Sequence, residues 1–251
     1  LLEKLKFHNP LILNITNTVT MDFIANGLLA LGASPIMSLA EQEMDNLCNI
    51  SHAVVLNIGT LNPVFNSLAL CAGKYANQHN KPVIFDPVGV GASLYRTEFS
   101  QELLNNIKID LIRGNASEIL ALSGLPITTK GVDSTAESQE AIEAGRILSQ
   151  KYHCAVVISG KADVVIENNN IDISTHGSAL MTKVVGMGCL LSAVVAAFRA
   201  IEPERFSAAK HAVTFYGQCG EVAAAKSQVP AHFKNYFLEA LYGHTHAPVC
   251  A

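Results

Sequence analysis

The chain has 251 residues, 49% of them hydrophobic and 15% charged, with a formal net charge of −4. That balance suits a large apolar core in one or two domains and points away from nucleic acid and acidic membrane surfaces, since no long basic run is present. No uninterrupted apolar stretch is long enough to span a bilayer, and Leu1 to His8 mixes lysines with leucines instead of forming the apolar centre of a signal peptide.

In chain order, Leu11 to Ile15 reads as a short strand interrupted by Asn14, Asn17 and Thr18. Thr20-Met21-Asp22 has the look of a helix cap with an acid in the first turn, and Gly32 closes that helix. Ser34 to Met37 is a second strand, Glu41 to Cys48 a helix, and Ala53 to Ile58 a buried strand ending at Gly59. A helix over Pro63 to Asn80 leads to the strand Pro82 to Phe85, with Asp86-Pro87-Val88-Gly89-Val90-Gly91 at its end. Glu98 to Asn106 is helical, Ile109 to Ile112 a strand ending in Arg113-Gly114-Asn115, and Ala116 to Leu122 a short helix closed by Gly124. A helix over Ser138 to Tyr152 precedes the strand Ala155 to Ser159, which ends at Gly160. Val164 to Ile166 and Ile171 to Ile173 flank Asn168-Asn169-Asn170, a hairpin signal. Helices over Phe206 to Ala225 and Phe233 to Tyr242 finish the chain. Short apolar strands alternating with amphipathic helices mean βαβ units, a mostly parallel sheet covered on both faces, and one three-layer α/β/α domain over 1–251.

The stretch that organises this pattern is Lys183-Val184-Val185-Gly186-Met187-Gly188-Cys189, which opens onto the apolar run Leu190 to Ile201. The start of a helix leaves backbone N–H groups unpaired and carries partial positive charge, so an anion can approach them where Cβ is absent at Gly186 and Gly188. Cys189 falls in the first turn, a position that lowers a thiol's pKa. The plain alternative is a tight turn into a core helix, with Cys189 a small apolar residue. The other five cysteines, Cys48, Cys71, Cys154, Cys219 and Cys250, show no C-x-x-C spacing and read as free thiols of a reducing cytoplasm. His244-Thr245-His246 reads as a polar tail instead of a metal site, because no third ligand lies near.

In open α/β sheets, ligands bind beyond the carboxyl ends of the strands. Here those ends carry Asn14 and Asn17, Met37, Asn57 and Gly59, Asp86, Arg113 and Asn115, and Ser159 and Gly160. Two carboxylates, Asp86 and Glu118, suit Mg²⁺, and Arg113 offers a phosphate its planar fork. Each has a structural alternative: Asp86 capping its own loop, Glu118 opposing a helix dipole, Arg113 lying on the surface. Known nucleotide motifs fail. Gly27 to Ser34 has P-loop glycine spacing but Ala33 in place of lysine, and Gly89-Val90-Gly91-Ala92-Ser93-Leu94 departs from a dinucleotide fingerprint at leucine.

Taken together, Ile15-Thr16-Asn17-Thr18-Val19-Thr20, Gly32 to Met37, Asp86 to Ala92, Arg113-Gly114-Asn115-Ala116-Ser117-Glu118-Ile119 and Gly186-Met187-Gly188-Cys189 resemble the hydroxyethylthiazole kinases of the ribokinase-like superfamily, in order and over nearly the whole chain. The resemblance implies phosphoryl transfer from ATP, with Mg²⁺, to the hydroxyl of 4-methyl-5-(2-hydroxyethyl)thiazole in thiamine salvage. By the same resemblance Met37, Asn17 and Gly186 contact the thiazole, Arg113, Ser159 and Gly188 contact ATP, and Asp86 and Glu118 hold magnesium directly or through water. Cys189 takes the place of the aspartate base of the superfamily's sugar kinases, and the resemblance implies a homotrimer with thiazole sites between subunits, which the free cysteines lead one to expect in the cytoplasm. The chain departs from the family pattern in Met187 and Ser159, both usually threonine, and in Val229-Pro230-Ala231, which lacks expected glycines. The alternatives are a kinase for another alcohol such as hydroxymethylpyrimidine, an ATP-dependent dehydratase of hydrated nicotinamide nucleotides, and a binder without catalysis.

Overall fold

The computed structural model describes residues 1–125 and 134–246. In order, the elements are α1 (Leu2–His8), β1 (Leu11–Ile15), α2 (Met21–Leu31), β2 (Ser34–Met37), α3 (Met44–Ile50), β3 (Ala53–Asn57), α4 (Pro63–Gln78), β4 (Val83–Asp86) and α5 (Leu94–Asn106). They continue with β5 (Leu111–Asn115), α6 (Ala116–Ser123), α7 (Ser134–Tyr152), β6 (Ala155–Ser159), β7 (Asp163–Glu167), β8 (Asn170–Ser174), α8 (Met187–Ile201), α9 (Arg205–Lys226) and α10 (Pro230–His246).

All eight strands form one sheet in the order β2-β1-β3-β4-β5-β6-β7-β8. The first six are parallel, and β6, β7 and β8 pair antiparallel. The strand order reverses between β1 and β3, the kind of crevice in which open α/β sheets bind ligands. Two apolar clusters sandwich the sheet. One contains Ile12, Val55, Ile84, Leu111 and Val157 with residues of α1, α2, α8, α9 and α10. The other contains Leu13, Val54, Phe85, Ile112 and Val156 with residues of α3 through α7.

Side chains alternate along a strand, so the residue two positions beyond each member of the first cluster shares its face. Asn14 follows Ile12, Asn57 follows Val55, Asp86 follows Ile84, Arg113 follows Leu111 and Ser159 follows Val157. The polar residues at the strand ends therefore face α8. A one-residue slip of β4 would turn Asp86 into the α3–α7 core, so burial of the apolar residues and placement of the polar ones specify the same register.

Several boundaries differ from the sequence reading. Leu2–His8 is helical and buries Leu5 against the α8 side of the sheet. Helix α5 starts at Leu94, where the Ser93 hydroxyl accepts from the Arg96 amide. Strand β5 runs on to Asn115, because β6 pairs with it as far as Asn115–Ser159, so Arg113 stands inside a strand. His244 to His246 continue α10 instead of forming a tail. Five cysteines are free thiols, and Cys250 lies outside the described residues.

Candidate active site

Helix α8 is buried on nearly every side and packs across the sheet's face. Its N-cap, Gly186, is left-handed at φ 91°, a conformation that L side chains rarely adopt. A Cβ there would also meet Thr20 Cγ2 at 3.0 Å and Phe23 Cδ1 at 3.1 Å. The Gly186 carbonyl accepts the first helical hydrogen bond, from Leu190 N at 2.8 Å. Among the described residues the amides of Met187, Gly188 and Cys189 have no protein acceptor. Three donors at the positive end of a helix are thus left for an anion.

Beneath them lies a buried charge pair. Asp86 is fully buried. Its Oδ2 accepts from Asn57 Nδ2 at 2.8 Å and Ser192 Oγ at 2.7 Å, and stands 3.7 Å from Arg113 Nη1. Its Oδ1 is buried without a partner. Burial pushes the Asp86 carboxyl up to about 6, while Arg113 pulls the other way. Arg113 is itself buried, and its Nη2 donates to the Ser159 hydroxyl. The guanidinium lies against Gly188, where an added Cβ would be 2.6 Å from Nη1 and 2.9 Å from Nη2. The bare Cα of Gly188 therefore admits an arginine, where the sequence reading expected close approach of an anion.

Glu118 belongs to a capping box at the start of α6: its Oε2 accepts from Asn115 N at 2.8 Å, and Asn115 Oδ1 accepts from Glu118 N at 2.9 Å. Oε1 accepts from Gly89 N at 2.8 Å, which ties the loop after β4 to α6. Each oxygen keeps lone-pair capacity beyond its one amide.

The thiol departs from expectation. Cys189 is pushed up from the ordinary thiol range, first by burial and then by the nearby Asp86 charge, while hydrogen bonding to the sulfur only partly opposes them. A helix start lowers a thiol's pKa, but here two longer-range causes win. Asn17 Nδ2 donates to Cys189 Sγ at 3.3 Å and to Asn57 Oδ1 at 3.0 Å. Thr20, read as a capping residue, makes no side-chain cap; its hydroxyl and amide donate to Asn17 Oδ1 at 3.0 and 3.1 Å.

Contacts thus join Cys189, Asn17, Asp86, Arg113, Ser159 and Gly188, with Glu118 beside them through the Gly89 loop. Met37 ends β2, paired with Asn14 of β1, and packs against the α8-side core, as Cys189 does. Three residues of the site escaped the sequence reading. Ser192 had a signal, being the one hydroxyl in an apolar helix. Tyr216, whose buried hydroxyl donates to the Met187 carbonyl at 2.7 Å, had none. Nor did Arg96, which ties the loops after β3 and β4 together by donating to the carbonyls of Ile58, Gly59 and Val88.

The donor set fits Mg²⁺: a buried carboxylate oxygen without a partner on Asp86, and a second carboxylate on Glu118. No group of three or more His, Cys, Asp or Glu that could hold a metal occurs among the described residues. A magnesium ion that keeps its waters and shares substrate phosphates needs no such cage.

The chain is similar to known proteins in sequence and in fold. The chain is 43% identical over 243 residues to a hydroxyethylthiazole kinase of Chlamydia caviae, covering 96% of this chain and 92% of that one. It superposes on a hydroxyethylthiazole kinase protein of Pyrococcus horikoshii with a TM-score of 0.88 at 34% identity, covering 96% and 91% of the two chains. A ribokinase-like superfamily protein of Enterococcus faecalis, 15% identical with a TM-score of 0.72 over 96% and 88% of the chains, shares the fold. Residues 2–247 match the hydroxyethylthiazole kinase family as a whole, and the chain belongs to that family.

Proposed function

We propose that this protein transfers the γ-phosphoryl group of ATP to the hydroxyl of 4-methyl-5-(2-hydroxyethyl)thiazole, a step of thiamine salvage. The observation that carries the reading is the start of α8: three amides without acceptors, directly above the buried Arg113–Asp86 pair and beside a thiol. Phosphoryl transfer passes through a loose transition state, so catalysis is mainly positioning and charge neutralisation. The amides of Met187, Gly188 and Cys189 bind the oxygens of the migrating group, with Gly188 also keeping Arg113 in place. Arg113 offsets charge on the polyphosphate and Ser159 fixes the guanidinium. Asp86 and Glu118 would hold Mg²⁺, directly or through water, and the ion would supply neutralisation of polyphosphate charge.

Burial and the Asp86 charge both push the Cys189 thiol up, which favours its protonated form. A neutral thiol takes up no further proton, so Cys189 stands beside the reacting alcohol without serving as its base, and the alcohol proton leaves late, to an oxygen of the transferred phosphoryl group. Met37, Asn17 and the Gly186 backbone line the thiazole side. Exposed apolar residues adjoin each of these, Leu39 at 63%, Val19 at 69% and Val185 at 71% exposure, which supports a homotrimer whose sites lie between subunits. No helix among the described residues is long and apolar enough to cross a membrane. A single catalytic domain working in the cytoplasm agrees with that.

The test is ADP release on mixing protein, ATP, Mg²⁺ and alcohol, with mass identification of the product. The thiazole alcohol is the preferred substrate. A clear preference for hydroxymethylpyrimidine, or turnover of hydrated NADH in place of either alcohol, would overturn the assignment.

A further inference from the structure

The hydrogen bonds around Asp86 have a direction, and one residue outside the assigned set determines it. An ionised carboxylate only accepts, so the Asn57 side chain must turn its NH₂ toward Asp86 Oδ2, as the 2.8 Å contact has it. Its carbonyl end then faces the other way, where it accepts from Asn17 Nδ2 at 3.0 Å and from the Gly59 amide at 3.0 Å. Two donors converging on that oxygen leave it no freedom to flip. Asn17 in turn must present its NH₂, and the second of these protons points at Cys189 Sγ at 3.3 Å. Thr20 closes the far end by donating to Asn17 Oδ1 through both its amide and its hydroxyl. On the opposite side Ser192, one turn into α8, donates to the same Oδ2 at 2.7 Å, and Arg113 stands over it at 3.7 Å. Oδ2 is thus saturated and Oδ1 has no partner at all. Asn57, Asp86 and Ser192 are all completely buried, so water does not substitute for a lost member of the set.

We propose that Asn57 is a positioning residue. With Ser192 it fixes Asp86 so that one carboxylate oxygen alone keeps coordination capacity, and through Asn17 it turns an N–H onto the Cys189 sulfur. One hydrogen bond on that oxygen, from Ser192, ties the helix that carries the amide cradle to the strand that carries the metal-binding carboxylate, and the other, from Asn57, ties that strand to β3. The inference rests on the kinase reading and on Asp86 as a magnesium ligand.

Three proteins test it: wild type, Ser192→Ala and Asn57→Ala. Two quantities are measured on each, Mn²⁺ binding in the presence of ADP, followed by electron paramagnetic resonance, and kcat and KM for the thiazole alcohol. Ser192→Ala removes one hydroxyl from a helix and keeps the helical backbone, so it stays informative should Asn57→Ala fail to fold. In Ser192→Ala, Mn²⁺ affinity and kcat each fall about 10-fold, while KM for the alcohol stays within about 2-fold. In Asn57→Ala both losses are larger, because the Asn17 branch is released as well. Folded variants with wild-type Mn²⁺ affinity and kcat would overturn the proposal, as would a loss confined to KM. The kinase reading fails separately: in that case the wild-type protein itself transfers no phosphoryl group to the alcohol.

Discussion

The contact between Gly188 and Arg113 gives the sharpest perturbation. In Gly188→Ala the new Cβ would stand 2.6 Å from Nη1, 2.9 Å from Nη2 and 3.1 Å from Cζ of Arg113. Ordinary contact begins near 3.5 Å, so the guanidinium must withdraw by about 1 Å. It is buried and held between Ser159 and Asp86, and that movement breaks or bends both contacts. A misplacement of about 1 Å in a positioning group costs on the order of 100-fold in rate. Stability moves little: alanine in a helix favours folding by about 0.5–1 kcal/mol over glycine, and a lost hydrogen bond costs about 1 kcal/mol. We therefore expect kcat to fall about 100-fold while the melting temperature stays within about 3 °C. Steady-state phosphorylation with a thermal melt on the same sample measures both. An alanine variant with wild-type kcat would refute the assignment of Gly188 as the seat of Arg113. A collapse of melting temperature would show instead that the glycine serves the fold.

The other predictions concern the thiol, the core beneath the cradle and the buried acid. Cys189→Ala slows turnover without abolishing it and leaves the KM of the thiazole alcohol nearly unchanged; an inert variant, or one as fast as wild type, counts against the role given to sulfur. Met187→Thr replaces a buried side chain whose Sδ lies 3.9 Å from the Tyr216 hydroxyl. It should lose about 2 kcal/mol of stability through a smaller side chain while kcat changes less than about 3-fold, read by denaturant titration beside the assay. Asp86 carries a folded-state pKa of about 6, above its ordinary 3.8. The folded state therefore binds more protons between these values, and the pKa shift makes stability fall as pH rises through that window, with the full cost present above pH 6. Asp86→Asn should accordingly lose activity yet melt higher than wild type at pH 8, with the gap shrinking as pH drops toward 4; a gap that widens on acidification would contradict the sign.

Much of this site was readable because parallel strands buried on both faces have little room for polar residues except at their ends. Asn57, Asp86 and Ser159 stood out for that reason, and the glycines of Gly186-Met187-Gly188 marked the helix start. Other features depended on distant parts of the chain. The upward shift of Cys189 comes first from burial and then from Asp86, which lies 103 positions away along the chain; both act on the thiol only through the fold. The purpose of Gly188 depends on a strand that reaches Arg113. Strand β5 was read as ending before Arg113-Gly114-Asn115, since arginine and glycine are poor local signals for a strand; pairing with β6 supplies what propensity lacks. Thr20 looked like a cap because the type of residue is right, whereas its hydroxyl is engaged by Asn17, which sequence spacing alone does not reveal.

The central claim is that the amides of Met187, Gly188 and Cys189 receive the migrating phosphoryl group. Amide chemical shifts, followed as ADP, Mg²⁺, aluminium fluoride and the thiazole alcohol are added together, test it directly. The account predicts large downfield shifts of those three resonances, absent when aluminium fluoride is omitted. Three amides that stay in place, in protein that still phosphorylates the alcohol, would contradict it.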